Sequence, residues 1–190
     1  EADPDRSAQR RQLRCFGSHN ALENRKEDPP DQRRKRIPGY PGWAVPGGRL
    51  IYKGYHSDAA RTYAVGTVSP EVMKLIEETK NSFFEGIKMA KAGNHLYDIS
   101  NAIDAYISRF GYGIVRDLVG HGIGTSLHED PQIPNFRQER RGLKLQAGMT
   151  LAIEPMINLG RCDVVVLDDE WTVVAEDGLP SAHYENTILI

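Results

Sequence analysis

The 190-residue sequence lacks the features of an exported, membrane-bound or nucleic-acid-binding protein. Its two cysteines, Cys15 and Cys162, are too few and too far apart for a disulfide framework or a paired-cysteine metal site. No apolar run approaches the roughly 18 residues of a membrane span, and the N-terminus has no signal-peptide core. The 24 basic and 26 acidic residues almost balance, which favours neither nucleic acid nor a membrane surface as partner. We therefore expect a cytoplasmic protein.

Charge and proline content divide the chain into two different parts. Residues 1–50 carry 11 basic and 7 acidic residues, a net charge of +4, and hold six of the eleven prolines. Residues 51–190 carry 13 basic and 19 acidic residues, a net charge of −6. The first part has only isolated large apolar residues, so its burial cannot offset its ordering entropy. We predict that residues 1–49 form a disordered or non-homologous tail and that residues 50–190 form one domain.

The pattern of the domain predicts an α+β fold with an antiparallel sheet. Two β-rich stretches, 50–55 and 60–66, flank residues 54–58 and are typical of a hairpin or of paired strands. Strands and helices do not alternate, which argues against a repeating βαβ sheet. Further strands are predicted near 149–157, 164–167, 171–175 and 184–190.

Two helices are predicted between these strands. Ser69 is a good N-cap and Pro70 suits the first helical position, and Gly93 is the expected stop. A second helix is predicted from about Asp98 to Gly111. Both helices are expected to cover one face of the sheet.

Four polar motifs interrupt the otherwise apolar strands, and each places an Asp, His or Glu where burial is expected. Each carboxylate alone is more often a turn residue or a salt-bridge partner. Several carboxylates and an imidazole that converge in one sheet would repel one another unless a cation neutralised them. The set therefore indicates a metal site. The motifs are His56-Ser57-Asp58-Ala59-Ala60-Arg61-Thr62, Gly120-His121-Gly122-Ile123-Gly124, Ala152-Ile153-Glu154-Pro155 and His183-Tyr184-Glu185-Asn186-Thr187.

In this order the motifs resemble the metal-binding signatures of type I methionine aminopeptidases. The resemblance covers about residues 51–190, a stretch without the long helical insertion of the type II enzymes. It implies the C-terminal half of a pita-bread fold, the fold of creatinases and aminopeptidases, preceded by a non-matching tail. Spacings of 63, 33 and 31 residues, similar to those of the type I branch, separate four residues: Asp58, His121, Glu154 and Glu185.

The resemblance implies a role for each of these four residues. Asp58 and Glu185 resemble the carboxylates that bridge two metal ions. His121 and Glu154 resemble the ligands of one of those ions, and Glu154 is also expected to carry a proton from water to the leaving amine. Three carboxylates and one imidazole offer mostly hard donors, which suit Mn, Fe, Co or Zn.

Predictions also concern four further residues, all of them aromatic or imidazole side chains. His128 resembles a histidine that contacts the substrate amide, although an exposed histidine in such a loop would be unremarkable by itself. Trp171 resembles an aromatic residue near the methionine pocket, although a lone Trp on a strand is equally often core. For His56 and His183 a structural role is expected, since the motifs assign ligation to their neighbours.

The implied activity is the metal-dependent removal of the initiator methionine from nascent polypeptides by an activated water. The expected substrates are polypeptide N-termini with Met followed by a small residue, and the expected state is a monomer. Two alternatives stay open. One is a related Xaa-Pro aminopeptidase with the same metal chemistry, and the other is a degenerate, non-catalytic pita-bread protein.

The chain departs from the family pattern before Leu50. The family's second metal position needs a further Asp at about Gly47 and a histidine near Pro29, and neither is present. One metal ion is therefore expected to bind much better than the family's two. The missing first half of the fold predicts weak or absent activity. We expect a truncated or chimeric product in which residues 1–49 derive from an unrelated or shifted reading frame.

Overall fold

A computed structural model of the chain describes residues 47–190 throughout and, before them, only the backbone of residues 16–17 and 42–44. Most of the predicted tail, residues 1–49, lies outside the described residues, and its disorder stays a prediction. The helices of the described part are α1, Pro70–Ile87, and α2, Leu96–Ile107. Neither helix is long and apolar enough to cross a membrane.

The strands of the described part form one large antiparallel sheet and two small ones. In chain order they are β1 (Phe16–Gly17), β2 (Gly42–Ala44), β3 (Gly47–Tyr52), β4 (Tyr55–Arg61), β5 (Tyr63–Val65), β6 (Gly113–Ile114), β7 (Gly120–Gly122), β8 (Glu129–Ile133), β9 (Thr150–Ile153), β10 (Met156–Asn158), β11 (Val164–Val166), β12 (Thr172–Ala175) and β13 (Ser181–Leu189). The large sheet has the order β3-β4-β13-β9-β7-β8, and β10 joins β13 to β6. A second sheet has the order β1-β12-β11, and β2 pairs with β5. The predicted α+β class is confirmed.

The first hairpin differs from its prediction. The turn consists of Lys53 and Gly54, which have φ angles of 51° and 83°, and Tyr52 pairs with Tyr55 across it. Two successive residues with positive φ match the twist of the flanking strands, so the chain reverses at once. Asp58 and the rest of its motif up to Arg61 therefore lie within β4, not in a connecting turn as the strand prediction implied.

The start of α1 agrees with the sequence, but its end does not. The Ser69 hydroxyl accepts a hydrogen bond from the Val72 amide at 3.3 Å, and Pro70 is the first helical residue. The helix ends at Ile87, several residues before the predicted stop at Gly93. Gly93 instead takes a positive φ of 97° in the loop that leads to α2.

The second helix begins slightly earlier than predicted, and its helical segment ends at Gly111, as predicted. The Asp98 carboxylate accepts a hydrogen bond from the His95 amide at 2.9 Å, so Asp98 caps from inside the first turn. The α-helix ends at Ile107 and continues as a 3-10 turn over residues 108–110. Gly111 then ends the helical segment with a φ of 72°, as a left-handed C-cap.

An apolar core between the helices and the large sheet holds the central strands in place. Gly86 of α1 lets the helices approach closely, since a Cβ there would lie 2.7 Å from the Ile103 side chain. Full burial of each large side chain contributes roughly 2 kcal/mol. This core fixes β9, β13 and their neighbours, which carry the polar motifs. Its fully buried members are Phe83, Leu96, Ile99, Ile103, Ile133, Leu145, Leu151 and Ile153.

Candidate metal centre

Four adjacent strands bring the four predicted ligands together. Asp58 lies on β4, Glu185 on β13 and His121 on β7, and Glu154 follows the last residue of β9. These strands are neighbours in the order β4-β13-β9-β7. All four side chains are buried, with exposed fractions between 0% and 6%. Residues up to 127 positions apart in the sequence thus share one interior site.

Proline explains why Glu154 lies at a break between two strands. The sequence predicted one strand over residues 149–157, but the structure divides it into β9 and β10. Pro155 has no amide hydrogen, so it cannot donate to the ladder. Its carbonyl still accepts a hydrogen bond from the Tyr184 amide at 3.2 Å, which keeps the break fixed against β13.

Hydrogen bonds beside the cluster hold the ligands in position. The Asp58 amide donates to the Thr187 hydroxyl at 2.8 Å, and this hydroxyl donates to the Asp58 carbonyl at 3.0 Å. The ring Nδ1 of His121 lies 2.8 Å from the Gly122 carbonyl, which makes Nδ1 the donor and leaves Nε2 with its lone pair. That Nε2 lies 3.6 Å from Oε1 of Glu154.

Within the described residues, donor atoms from the cluster form two groups that could each hold a metal ion. One group contains Asp58, His121 and Glu185, and the other contains Glu154, His183 and Glu185. In each group the donor atoms lie within 4.8 Å of one another. Glu185 belongs to both groups, so the two overlap in one site.

His183 is the member of the site to which sequence reasoning gave a structural role. Its Nε2 lies 3.3 Å from Oε2 of Glu154. Because side chains alternate along a strand, His183 and Glu185 of β13 face the same way, and this period-2 relation was visible in the sequence. The nearness of His183 to Glu154 depends on a pairing between distant strands, which no local pattern shows.

Burial makes the charged form of the acids costly. It is the main cause that raises the pKa of Glu185, and the nearby charges of Glu154 and Asp58 raise it further. Burial, then the charge of Asp58, also raises the pKa of Glu154 well above its usual range. Burial lowers the pKa of His121, so its imidazole is held neutral. The acids therefore hold protons until a cation compensates their charge.

The site fits a divalent metal ion. Both carboxylate oxygens of Glu185 and the Nε2 atom of His121 are buried, and no group of the described residues hydrogen-bonds to them. Buried polar atoms without partners are costly, whereas carboxylate oxygens and a neutral imidazole are ordinary metal ligands. These buried groups can therefore bind a divalent cation.

The remaining predicted residues lie outside this buried cluster. The exposed His128 ring is 4.4 Å from the His121 ring, centroid to centroid, and edge-on to it. Trp171 is half-buried directly before β12, in the three-stranded sheet, and its amide donates to the Asp169 carboxylate. The His56 amide donates to the Gly124 carbonyl at 2.7 Å, which ties β4 to the loop after β7.

The position of the missing acid adjoins the cluster. Gly47 pairs with Ala60 and Arg49 pairs with Asp58, so Gly47, Arg49 and Asp58 project from the same face of the β3–β4 hairpin. A Cβ on Gly47 would meet no atom nearer than the Ala59 carbonyl oxygen at 4.0 Å. There is room for a side chain at this position, and the sequence supplies none.

Buried acids and an imidazole in an antiparallel sheet, backed by two helices, are typical of a metallopeptidase, and the comparison with known families gives the same class. The profile of metallopeptidase family M24 matches residues 49–190. The chain belongs to this family.

Within the family, the chain is similar to methionine aminopeptidases. It is 52% identical to the methionine aminopeptidase of Clostridium perfringens, over 81% of this chain and 65% of that protein. The crystal structure of methionine aminopeptidase from Thermotoga maritima superposes with a TM-score of 0.74 at 44% identity, over 77% of this chain and 59% of that one. For the enzyme from Rickettsia prowazekii the TM-score is 0.76 at 37% identity, with 80% and 62% covered. The predicted resemblance is confirmed, and the chain spans less than two thirds of each relative.

Proposed function

We propose that residues 50–190 form the metal-binding domain of a methionyl aminopeptidase. The domain would act as a cytoplasmic monomer and remove the N-terminal Met from polypeptides whose second residue is small. The observation that carries the proposal is the convergence of four buried ligands from adjacent strands: Asp58, His121, Glu154 and Glu185. The identity of 52% to a methionine aminopeptidase supports the same activity.

The four ligands would hold one divalent ion of Mn, Fe, Co or Zn. When bound, such an ion supplies Lewis acidity toward the attacking water and the scissile carbonyl. Asp58 and Glu185 would contribute carboxylate oxygens from β4 and β13, and His121 would contribute Nε2 from β7. One ion rather than two is expected, since position 47 lacks the acid that would serve the second.

Glu154 is the residue best placed to move a proton. Its Oε1 lies 3.6 Å from Nε2 of His121, and its Oε2 lies 3.3 Å from Nε2 of His183. Both oxygens are thus held between two imidazoles, which limits rotation of the carboxyl group. Burial raises the pKa of Glu154, so the carboxyl group can accept a proton from water and release it to the leaving amine.

Residues at the edge of the cluster would position the substrate. His128 is exposed and lies beside His121, where an N–H of its ring would donate to the carbonyl oxygen of a bound peptide. Trp171 is proposed to contact the methionine side chain. Trp171 directly precedes β12 of the second sheet, whereas His128 lies beside a ligand of the large sheet.

Two other functions make different predictions in one assay. An Xaa-Pro aminopeptidase would use the same ligands, but the motif around Asp58 and the Gly-His-Gly-Ile-Gly motif favour the methionine enzyme. The glycine at position 47, where the family pattern has an acid, favours a non-catalytic protein.

The assay compares hydrolysis of Met-Ala-Ser and Ala-Pro peptides by the full chain with each of the four metals and with a chelator. We expect release of Met from Met-Ala-Ser only, and only with metal. Preferential cleavage of the Ala-Pro peptide would identify the Xaa-Pro enzyme. Absence of hydrolysis with every metal, in protein that binds metal, would identify the non-catalytic protein.

A further inference from the structure

A permanent positive charge lies directly against one of the proposed ligands. Arg49 on the edge strand β3 pairs with Asp58 on β4. The Nε atom of Arg49 is 3.6 Å from Oδ2 of Asp58. The Arg49 side chain is 26% exposed, whereas that of Asp58 is 1% exposed, so the guanidinium reaches the buried carboxylate from β3, the last strand on this side of the sheet among the described residues.

The charge of Arg49 acts on the whole cluster. Asp58 belongs to the group with His121 and Glu185 in which all donor atoms lie within 4.8 Å of one another, so a charge 3.6 Å from Asp58 lies close to the whole group. An arginine guanidinium carries a positive charge in proteins. Arg49 therefore offsets part of the negative charge whether or not a metal ion is present.

The other residues of β3 on the same face as Asp58 offer no metal ligand. Three residues of β3, Gly47, Arg49 and Ile51, share the face of Asp58. Gly47 has no side chain, Ile51 is apolar and Arg49 is a cation, so this side of Asp58 supplies positive charge and no ligand. A metal ion that approached Asp58 from β3 would meet a like charge.

We propose that Arg49 is a built-in counter-cation of the carboxylate cluster. Its positive charge takes the place of a second metal ion in balancing the carboxylates, and it weakens binding of the first metal ion. This inference rests on the proposed function only as far as the cluster binds a divalent ion. Like charges a few ångströms apart repel strongly even at an effective dielectric constant of about 20. The guanidinium also repels any proton that the ion displaces from the acids, but a divalent ion feels twice the repulsion of one proton. With one proton displaced, removal of the guanidinium should therefore tighten metal binding at least about tenfold.

The test is isothermal titration of Mn²⁺ into the full chain, after treatment with a chelator. The neutral variants are Arg49→Gln and Arg49→Met, which keep most of the length of the side chain, and Arg49→Lys is the matched control that keeps the charge. Circular dichroism shows which variants fold. Arg49 lies on β3, the end strand of the described sheet, so we expect all three variants to fold. The test can be completed with only one folded neutral variant.

The expected result is one Mn²⁺ per wild-type chain, a Kd at least about tenfold lower in the neutral variants, and a Kd near the wild-type value in Arg49→Lys. Metal binding by a neutral variant alone would also support the proposal. An unchanged or higher Kd in the folded neutral variants would overturn it while leaving the metal site intact. If neither the wild type nor any variant bound Mn²⁺, the proposed function would fail together with the inference.

Discussion

Replacement of Glu185 by Gln should stabilise the metal-free protein and abolish its stabilisation by metal. Glu185 is fully buried, and both of its carboxylate oxygens lack hydrogen-bond partners among the described residues. A glutamine of nearly equal shape carries no charge to desolvate. Its amide can donate to the nearby carboxylates, whose oxygens lie within 4.8 Å in the group that Glu185 shares with Glu154.

The size of the stability gain expected for Glu185→Gln follows from the proton that Glu185 takes up on folding. Burial raises the pKa of Glu185 above its ordinary value of 4.5, so the folded state binds a proton that the unfolded state has lost. The cost is absent below about pH 4.5 and grows as pH rises toward the raised pKa. At pH 7 this cost is limited by the difference between pH 7 and the ordinary pKa of 4.5, about 2.5 pKa units or about 3 kcal/mol. Glu185→Gln should recover up to that amount at pH 7 and little at pH 4.5.

The assay is urea denaturation at both pH values, with chelator and with excess Mn²⁺. Wild type should gain about 3 kcal/mol from Mn²⁺ at one hundred times its Kd, and the variant much less. Glu139→Gln, at an exposed position, is the control and should behave like wild type. A metal-free Glu185→Gln protein that is less stable than wild type at pH 7 would refute the reasoning.

Three further predictions follow from the same geometry. Gly47→Asp should create a second Mn²⁺ site when combined with Arg49→Gln, as measured by titration, whereas Gly48→Asp on the opposite face should not. His128→Ala should lower kcat for Met-Ala-Ser roughly hundredfold, as expected when the substrate carbonyl loses one hydrogen-bond donor. The Kd for Mn²⁺, measured by titration, should not change. Gly122→Ala should lower the free energy of unfolding by at least about 2 kcal/mol in urea denaturation, because its Cβ would lie 2.1 Å from the Asp130 carbonyl oxygen.

Local patterns, together with the family resemblance, were sufficient to select the residues of the proposed metal centre. An acid placed in an apolar strand conflicts with burial, and such a conflict is visible without a structure, as at Glu154 and Glu185. The N-cap at Ser69 is equally local, since one hydroxyl and one amide three residues later define it. The class of the fold could be predicted for the same reason.

Features that depend on pairing between distant strands could not be predicted. Lys53 adopts a positive φ, which is uncommon for lysine, so the turn was placed too late and Asp58 was assigned to a connection rather than a strand. The contact between His183 and Glu154 arises from the antiparallel pairing of β10 with β13. The approach of Arg49 to Asp58 requires the register of the first hairpin, which no single stretch of sequence specifies.

Anomalous diffraction from crystals soaked in Mn²⁺ tests most directly whether these separated side chains bind one cation. The expected map has a single strong Mn peak within about 2.0–2.3 Å of ligand atoms from Asp58, His121, Glu154 and Glu185. Peaks confined to surface carboxylates, with none among those four side chains, would contradict the assignment of this cluster as a metal centre.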